Sequence, residues 1–117
     1  MPQTVLIVDD HAGFRLAARA VLEADGFDVV AESATGMEAL EAVALYQPDL
    51  VLLDVCLPDL DGIEVAGRLT TADRSLAVVL TSSRDASDYQ GHLQSSGARG
   101  FIPKAELSGA AVSAITA

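Results

Sequence analysis

The chain has 117 residues, half of them hydrophobic, and sets 17 acidic side chains against seven lysines and arginines for a net charge of −10. That length fits one domain with a sizeable core, and no apolar run is long enough to span a membrane. The acidic balance argues against a nucleic-acid-binding face, and the single cysteine, Cys56, rules out an intrachain disulfide and a cysteine-built zinc site.

The first predicted strand, Thr4–Val8, runs straight into Asp9-Asp10. Phe14, Ala17, Ala18, Val21 and Leu22 then follow the i, i+3, i+4, i+7, i+8 spacing of a helix, and Gly26 is placed to end it. A second strand is expected over residues 27–31. Thr35 and Glu38 form a capping box, opening a helix that carries Met37, Leu40, Val43 and Ala44 on one stripe. A third strand, residues 50–53, ends in Asp54, and a fourth, residues 76–81, ends in Thr81-Ser82. Residues 86–96 read as a weak helix. Its apolar stripe (Ala86, Tyr89, Leu93) is narrow, and Gly91 inside it costs about 1 kcal/mol relative to alanine, so this segment is the expected moving part. Gly97 is placed to end it. A fifth strand, residues 100–102, meets Pro103, which lacks an N–H and therefore belongs at a strand end or on an edge strand. Leu107, Ala110, Ala111, Ala114 and Ile115 repeat the helical spacing at the C-terminus.

Several strands are near-continuous Val, Ile and Leu, as in strands covered on both faces. Strands alternating with helices imply an α/β fold with an open parallel sheet. Ligands of such sheets bind at the carboxyl ends of the strands. Asp9, Asp10, Asp54, Thr81 and Lys104 all fall there. Singly, the acids read as helix caps and Lys104 as a solvated side chain; their joint placement points to a site. Three carboxylates in one cleft require protonation or a cation, and a hard divalent ion such as Mg²⁺ suits oxygen ligands. A carboxylate at Asp54, beside Mg²⁺ and a lysine, can attack phosphorus and form an aspartyl phosphate, with metal and ammonium offsetting charge on the phosphoryl oxygens. His11 is expected to be an exposed residue at the first helix start, and Cys56 a plain small residue.

Four pieces in order, "VLIVDDH", "PDLVLLDVCLPDLDG", "VVLTSS" and "GARGFIPK", resemble the response-regulator receiver domains of two-component signalling. The resemblance implies a single receiver domain over residues 1–117, a flavodoxin-like doubly wound (βα)5 fold with strand order 2-1-3-4-5. By the same resemblance Asp54 accepts a phosphoryl group from a sensor histidine kinase. Asp10 holds Mg²⁺ directly and Asp9 mostly through water, and the backbone carbonyl of Cys56 is a further ligand. Thr81 and Lys104 contact the phosphoryl oxygens, and Phe101 is the aromatic switch. Such a domain is no enzyme toward other substrates and catalyses only its own phosphorylation and dephosphorylation. The "DDH" and "GFIPKAEL" stretches look most like receivers that carry a C-terminal helix-turn-helix domain. Transcription control through a DNA-binding domain in a longer parent chain is therefore expected. A stand-alone receiver, a homodimer and a cytoplasmic setting are compatible with the same reading.

Three departures stand out. Ala105 follows Lys104 where the family often has proline, so an all-trans loop is expected. Leu57 replaces the commoner methionine, a volume-conserving change. Cys56 and Ser83 occupy the positions that tune loss of the phosphoryl group, and neither offers an amide or carboxylate to position water. The competing readings are a phosphorylation-independent interaction or dimerisation module, and a Mg²⁺-dependent phosphohydrolase. The latter usually needs a second Asp where Cys56 stands.

Overall fold

The computed structural model describes residues 3–83 and 95–116. Its elements alternate as expected: β1 (Thr4–Val8), α1 (Ala12–Ala24), β2 (Asp28–Ser33), α2 (Gly36–Tyr46), β3 (Leu50–Asp54), α3 (Gly62–Ala72), β4 (Ala77–Ser82), β5 (Gly100–Pro103), a 3-10 turn (Lys104–Glu106) and α4 (Gly109–Thr116). The five strands form one parallel sheet in the order β2-β1-β3-β4-β5, which bears out the expected topology and puts β5 at an edge. The expected helix over residues 86–96 falls almost wholly outside the described residues. Among those described, no helix is long and apolar enough to cross a membrane, and no peptide bond is cis.

The sheet separates two apolar layers. Leu6, Val8, Val51, Leu53, Val78 and Leu80 pack on one face with Ala39, Val65 and Leu69 of α2 and α3. Val5, Ile7, Leu50, Leu52 and Val79 pack on the other with Ala18 and Leu22 of α1 and Val112 of α4. Successive residues of a strand point to opposite faces, so β1, β3 and β4 need apolar residues at every position. Each fully buried leucine or isoleucine contributes roughly 1.5–3 kcal/mol.

Strand ends differ from expectation where pairing, not apolarity, sets them. β2 begins at Asp28, because Phe27 is still folded back on the end of α1, its N–H donating to the Leu22 carbonyl at 3.0 Å. It extends to Ser33, paired with Val8, after a register shift that skips Val30. β4 gains Ser82 through its pairing with Pro103, the last residue of β5.

Side-chain caps fix the loops around the carboxyl edge. Thr35 Oγ1 accepts the Glu38 N–H at 3.1 Å, while the Glu38 carboxylate reaches the Ala34 N–H at 2.9 Å, one residue earlier than a standard capping box. Asp61 Oδ1 caps α3 by accepting the Ile63 N–H at 2.8 Å. Asp59 ties two elements together: its carboxylate accepts the Gly36 N–H at 2.7 Å and the Met37 N–H at 3.0 Å, so the loop after β3 caps α2. The Met37 and Gly36 N–H groups hold the Asp59 carboxyl below its ordinary value of 3.8. A depressed carboxyl pKa contributes stability that is present above the unfolded value and lost as pH falls through the folded one. Asp59→Ala is therefore expected to melt a few degrees below the wild type at neutral pH and to approach it in acid, as the pH falls below the depressed folded value and the carboxyl is protonated in both states. Thermal melts across that range check this, and an equal gap at both ends would count against the cap.

Candidate functional site

The carboxyl ends of β1, β3 and β4 and the turn after β5 converge on one acidic cleft. Asp9 follows β1 and is fully buried, and Asp54, the last residue of β3, is 3% exposed. Thr81 of β4 lies directly beside Asp54 in the strand register. Lys104 reaches in from the 3-10 turn. Its Nζ stands 2.6 Å from Asp9 Oδ2 and 3.4 Å from Asp54 Oδ2, and 4.6 Å from the centroid of the Phe14 ring on α1. The Asp9 contact is an ion pair rather than an aligned hydrogen bond, since Asp9 Oδ2 has no hydrogen-bond partner of proper geometry. The cleft thus supplies its own cation, seated on an aromatic face that adds about 0.5–2 kcal/mol of attraction.

A second ring of contacts holds Asp9 and the start of α1. The His11 N–H donates to Asp9 Oδ1 at 2.8 Å, and His11 Nδ1 is 3.2 Å from both Asp9 Oδ1 and Asp10 Oδ1. His11 is exposed at the N-cap of α1, as expected, yet it also bridges the acidic pair. Arg15 donates to the Asp9 carbonyl, and Arg15 and Arg19 clasp Glu32 at 3.1 and 3.0 Å, binding α1 to β2. At the mouth, the Cys56 N–H donates to Asp54 Oδ1 at 3.2 Å, while the thiol side of the residue is exposed.

Burial raises the Asp54 pKa above its ordinary 3.8; the Cys56 N–H opposes this, the Asp9 charge adds to it, and the Lys104 ammonium opposes it. Burial also disfavours the charged form of Lys104, but the Asp9 and Asp54 carboxylates outweigh it and hold the Lys104 pKa above 10.5. A carboxyl whose folded pKa is raised loses stability as pH climbs from the unfolded value through the folded one, and the deficit persists at neutral pH. Asp54→Asn removes that deficit while leaving Lys104 paired with Asp9. Without divalent ions at pH 7 the variant is expected to melt above the wild type. A midpoint at or below that of the wild type would show that the Lys104 pair outweighs the burial of Asp54.

Asp9, Asp10, His11 and Asp54 each offer a ligand atom, all within 4.8 Å of one another. Two buried oxygens at this edge, Asp9 Oδ2 and Thr81 Oγ1, lack a hydrogen-bond partner among the described residues. That donor set fits a hard divalent cation. The structure therefore gathers Asp9, Asp10, Asp54, Thr81 and Lys104 as the sequence implied, with the Cys56 backbone at the rim. Phe101 sits on β5, half-buried against the α2–α3 layer and opposite Leu80 of β4. Phe14 and Arg15 were not legible as site residues. Their only sequence signal is position, within the first turns after a strand that ends in acids.

The chain matches the Response regulator receiver domain across residues 5–116. It is 38% identical over 106 residues to the virulence-factor transcription regulator BvgA of Bordetella pertussis, covering 91% of this chain and 51% of that protein. It is 33% identical over 104 residues to the chemotaxis protein CheY of Bacillus subtilis, covering 89% and 87% respectively. A chain of the CheX–CheY–BeF3–Mg²⁺ complex of Borrelia burgdorferi superposes with a TM-score of 0.84 at 28% identity, over 98% of this chain and 87% of that one. The chain spans about half the length of the transcription-regulator relatives that it matches. With the strand order and the acidic edge already in place, this match over nearly its whole length means that the chain belongs to the response regulator receiver family, the signalling domains of two-component systems.

Proposed function

We propose that the domain is a phosphorylation-driven switch and that Asp54 is its phosphoacceptor. The observation that carries this reading is the buried Asp54 carboxylate, with the Lys104 ammonium 3.4 Å away and the unpartnered Thr81 hydroxyl beside it. An Asp54 oxygen attacks the phosphorus of a phosphohistidine on a sensor kinase. The bond from phosphorus to the imidazole nitrogen breaks, and that nitrogen keeps the electron pair. Lys104 faces the transferred oxygens with fixed positive charge, and Thr81 donates its hydroxyl to one of them. Asp9, Asp10, Asp54 and the Cys56 carbonyl would hold Mg²⁺, which when bound neutralises charge on the phosphoryl group. The magnesium and beryllofluoride named in the Borrelia complex support that ligand class here.

Drawing Thr81 toward the phosphoryl group vacates space that Phe101 turns in to fill, which alters the face formed by the helix expected over residues 86–96, β5 and α4. A partner reads that surface. Relatives named as transcription regulators favour a DNA-binding domain in a longer cytoplasmic parent protein as that partner, and a second copy of this domain is the other candidate. The test is incubation with acetyl phosphate and Mg²⁺ followed by mass measurement. The wild type is expected to gain one acid-labile phosphoryl group and Asp54→Asn none. A phosphoryl gain by Asp54→Asn would reject the assignment. Failure of the wild type to gain one would favour a phosphorylation-independent interaction module.

A further inference from the structure

Of the six lysines and arginines among the described residues, four are paired with carboxylates: Arg15, Arg19, Arg68 and Lys104. Arg74 and Arg99 have no such pair among the described residues, and both line one open cavity of about 330 Å³. The cavity lies at the amino ends of β4 and β5, the sheet edge opposite Asp54. Thr70, Thr71, Ser95 and Ser96 share its wall, and no carboxylate among the described residues does. In a chain of net charge −10, a cavity whose described lining holds two arginines and hydroxyls but no acid is a local inversion of the field.

Its walls are fixed in advance. Arg99 follows a segment pinned by its own N–H to the Val78 carbonyl at 2.8 Å, by the Ala98 N–H to Ser96 Oγ at 3.1 Å, and by the Thr70 hydroxyl 3.0 Å from the Ser96 carbonyl. Gly97 stands at φ +81, where an added Cβ would meet Thr70 Oγ1 at 2.4 Å. Arg74 sits in a turn that Asp73 closes on Ser75, through contacts of 2.9 and 2.6 Å. Asp73 and Asp49 border the neighbouring cavity that Arg99 also touches; they are engaged by Ser75 and Thr4.

We propose that this cavity binds a small phosphomonoester, with the phosphate between Arg74 and Arg99 and the Thr71 hydroxyl beside it. Guanidinium forks match phosphate oxygens in pairs, and the volume exceeds what a bare phosphate fills while matching the lower range of small-ligand sites. The site is remote from the phosphoacceptor, so it stands or falls independently of the switch.

The test is an amide NMR titration without Mg²⁺ at fixed ionic strength, with glycerol phosphate and inorganic phosphate as separate probes. Glycerol phosphate is expected to give saturable shifts at Thr71, Gly97 and Arg99. Binding should be at least about tenfold weaker in Arg74→Gln and in Arg99→Gln, the loss that ~1.4 kcal/mol represents, and unchanged in Asp54→Asn. Equal binding of inorganic phosphate would overturn the ester assignment. Shifts that never saturate, or that survive in the folded double variant Arg74→Gln/Arg99→Gln, would overturn the site itself.

Discussion

Replacing Gly62 with alanine is expected to destabilise the domain by about 3 kcal/mol or more and to cripple the phosphoacceptor even in the molecules that fold. A Cβ at position 62 would lie 2.1 Å from the Asp54 carbonyl oxygen and 2.7 Å from Val55 Cα. Both are backbone atoms, so no flexible side chain can give way. The Gly62 N–H also donates to the Val55 carbonyl at 2.8 Å, and the Val55 N–H donates to the Thr81 carbonyl at 2.9 Å. Pushing α3 off this contact moves the end of β3, and Asp54 with it. Gly67, five residues along the same helix, meets nothing within 4 Å among the described residues, so Gly67→Ala is expected to stabilise by about 0.5–1 kcal/mol. Urea unfolding of both variants and their rates of phosphorylation by acetyl phosphate give the comparison. A Gly62→Ala chain as stable as Gly67→Ala would mean that the strand end is not clamped by the helix.

Lys104→Met is the second large effect. It removes the ammonium that lies against Asp9 and Asp54 and leaves two carboxylates facing each other in a buried cleft. Deleting one member of a buried ion pair costs about 3–5 kcal/mol, and the partial exposure of Lys104 lowers that toward about 2–3 here. The melting midpoint without divalent ions is expected to fall by roughly 8 °C or more. Added Mg²⁺ should restore much of the loss and raise the midpoint more in Lys104→Met than in the wild type, because in the wild type lysine and ion answer the same negative charge. Lys104→Arg keeps a cation on the turn and should lie between them. An unchanged midpoint in Lys104→Met, or the same Mg²⁺ gain in both chains, would show that Lys104 is not the counter-ion of the cleft.

The parts of this molecule visible in the sequence were those with local signatures. β1 was bounded correctly because a central strand must be apolar on both faces and Asp9 ends that run. Topology followed from the alternation of strands and helices, and the acidic edge followed from topology, since Asp9, Asp54, Thr81 and Lys104 each close or follow a strand. β2 was misplaced by one to two residues, because its limits depend on pairing with β1 and on the skipped Val30, which leave no apolar pattern. The Asp59 tie to α2 spans more than twenty residues, and the Arg15–Glu32–Arg19 clasp joins different elements; nothing periodic announces either. The seat of the Lys104 ammonium over Phe14 was hidden for the same reason. The sequence places Lys104 beside a metal and Asp54; what no local pattern shows is that the ammonium stands against Asp9 itself, at 2.6 Å.

That resident lysine has a consequence for how the chain is made. Asp9 and Asp54 are brought together by β1 and β3, which pair directly and are both complete once residue 54 has been synthesised. Lys104 arrives fifty residues later, behind the edge strand. Between those moments the two acids have hydrogen bonds from His11 and Cys56 but lack the lysine that offsets their charge. A growing chain is therefore expected to carry uncompensated negative charge at the carboxyl edge until the last strand and its turn dock.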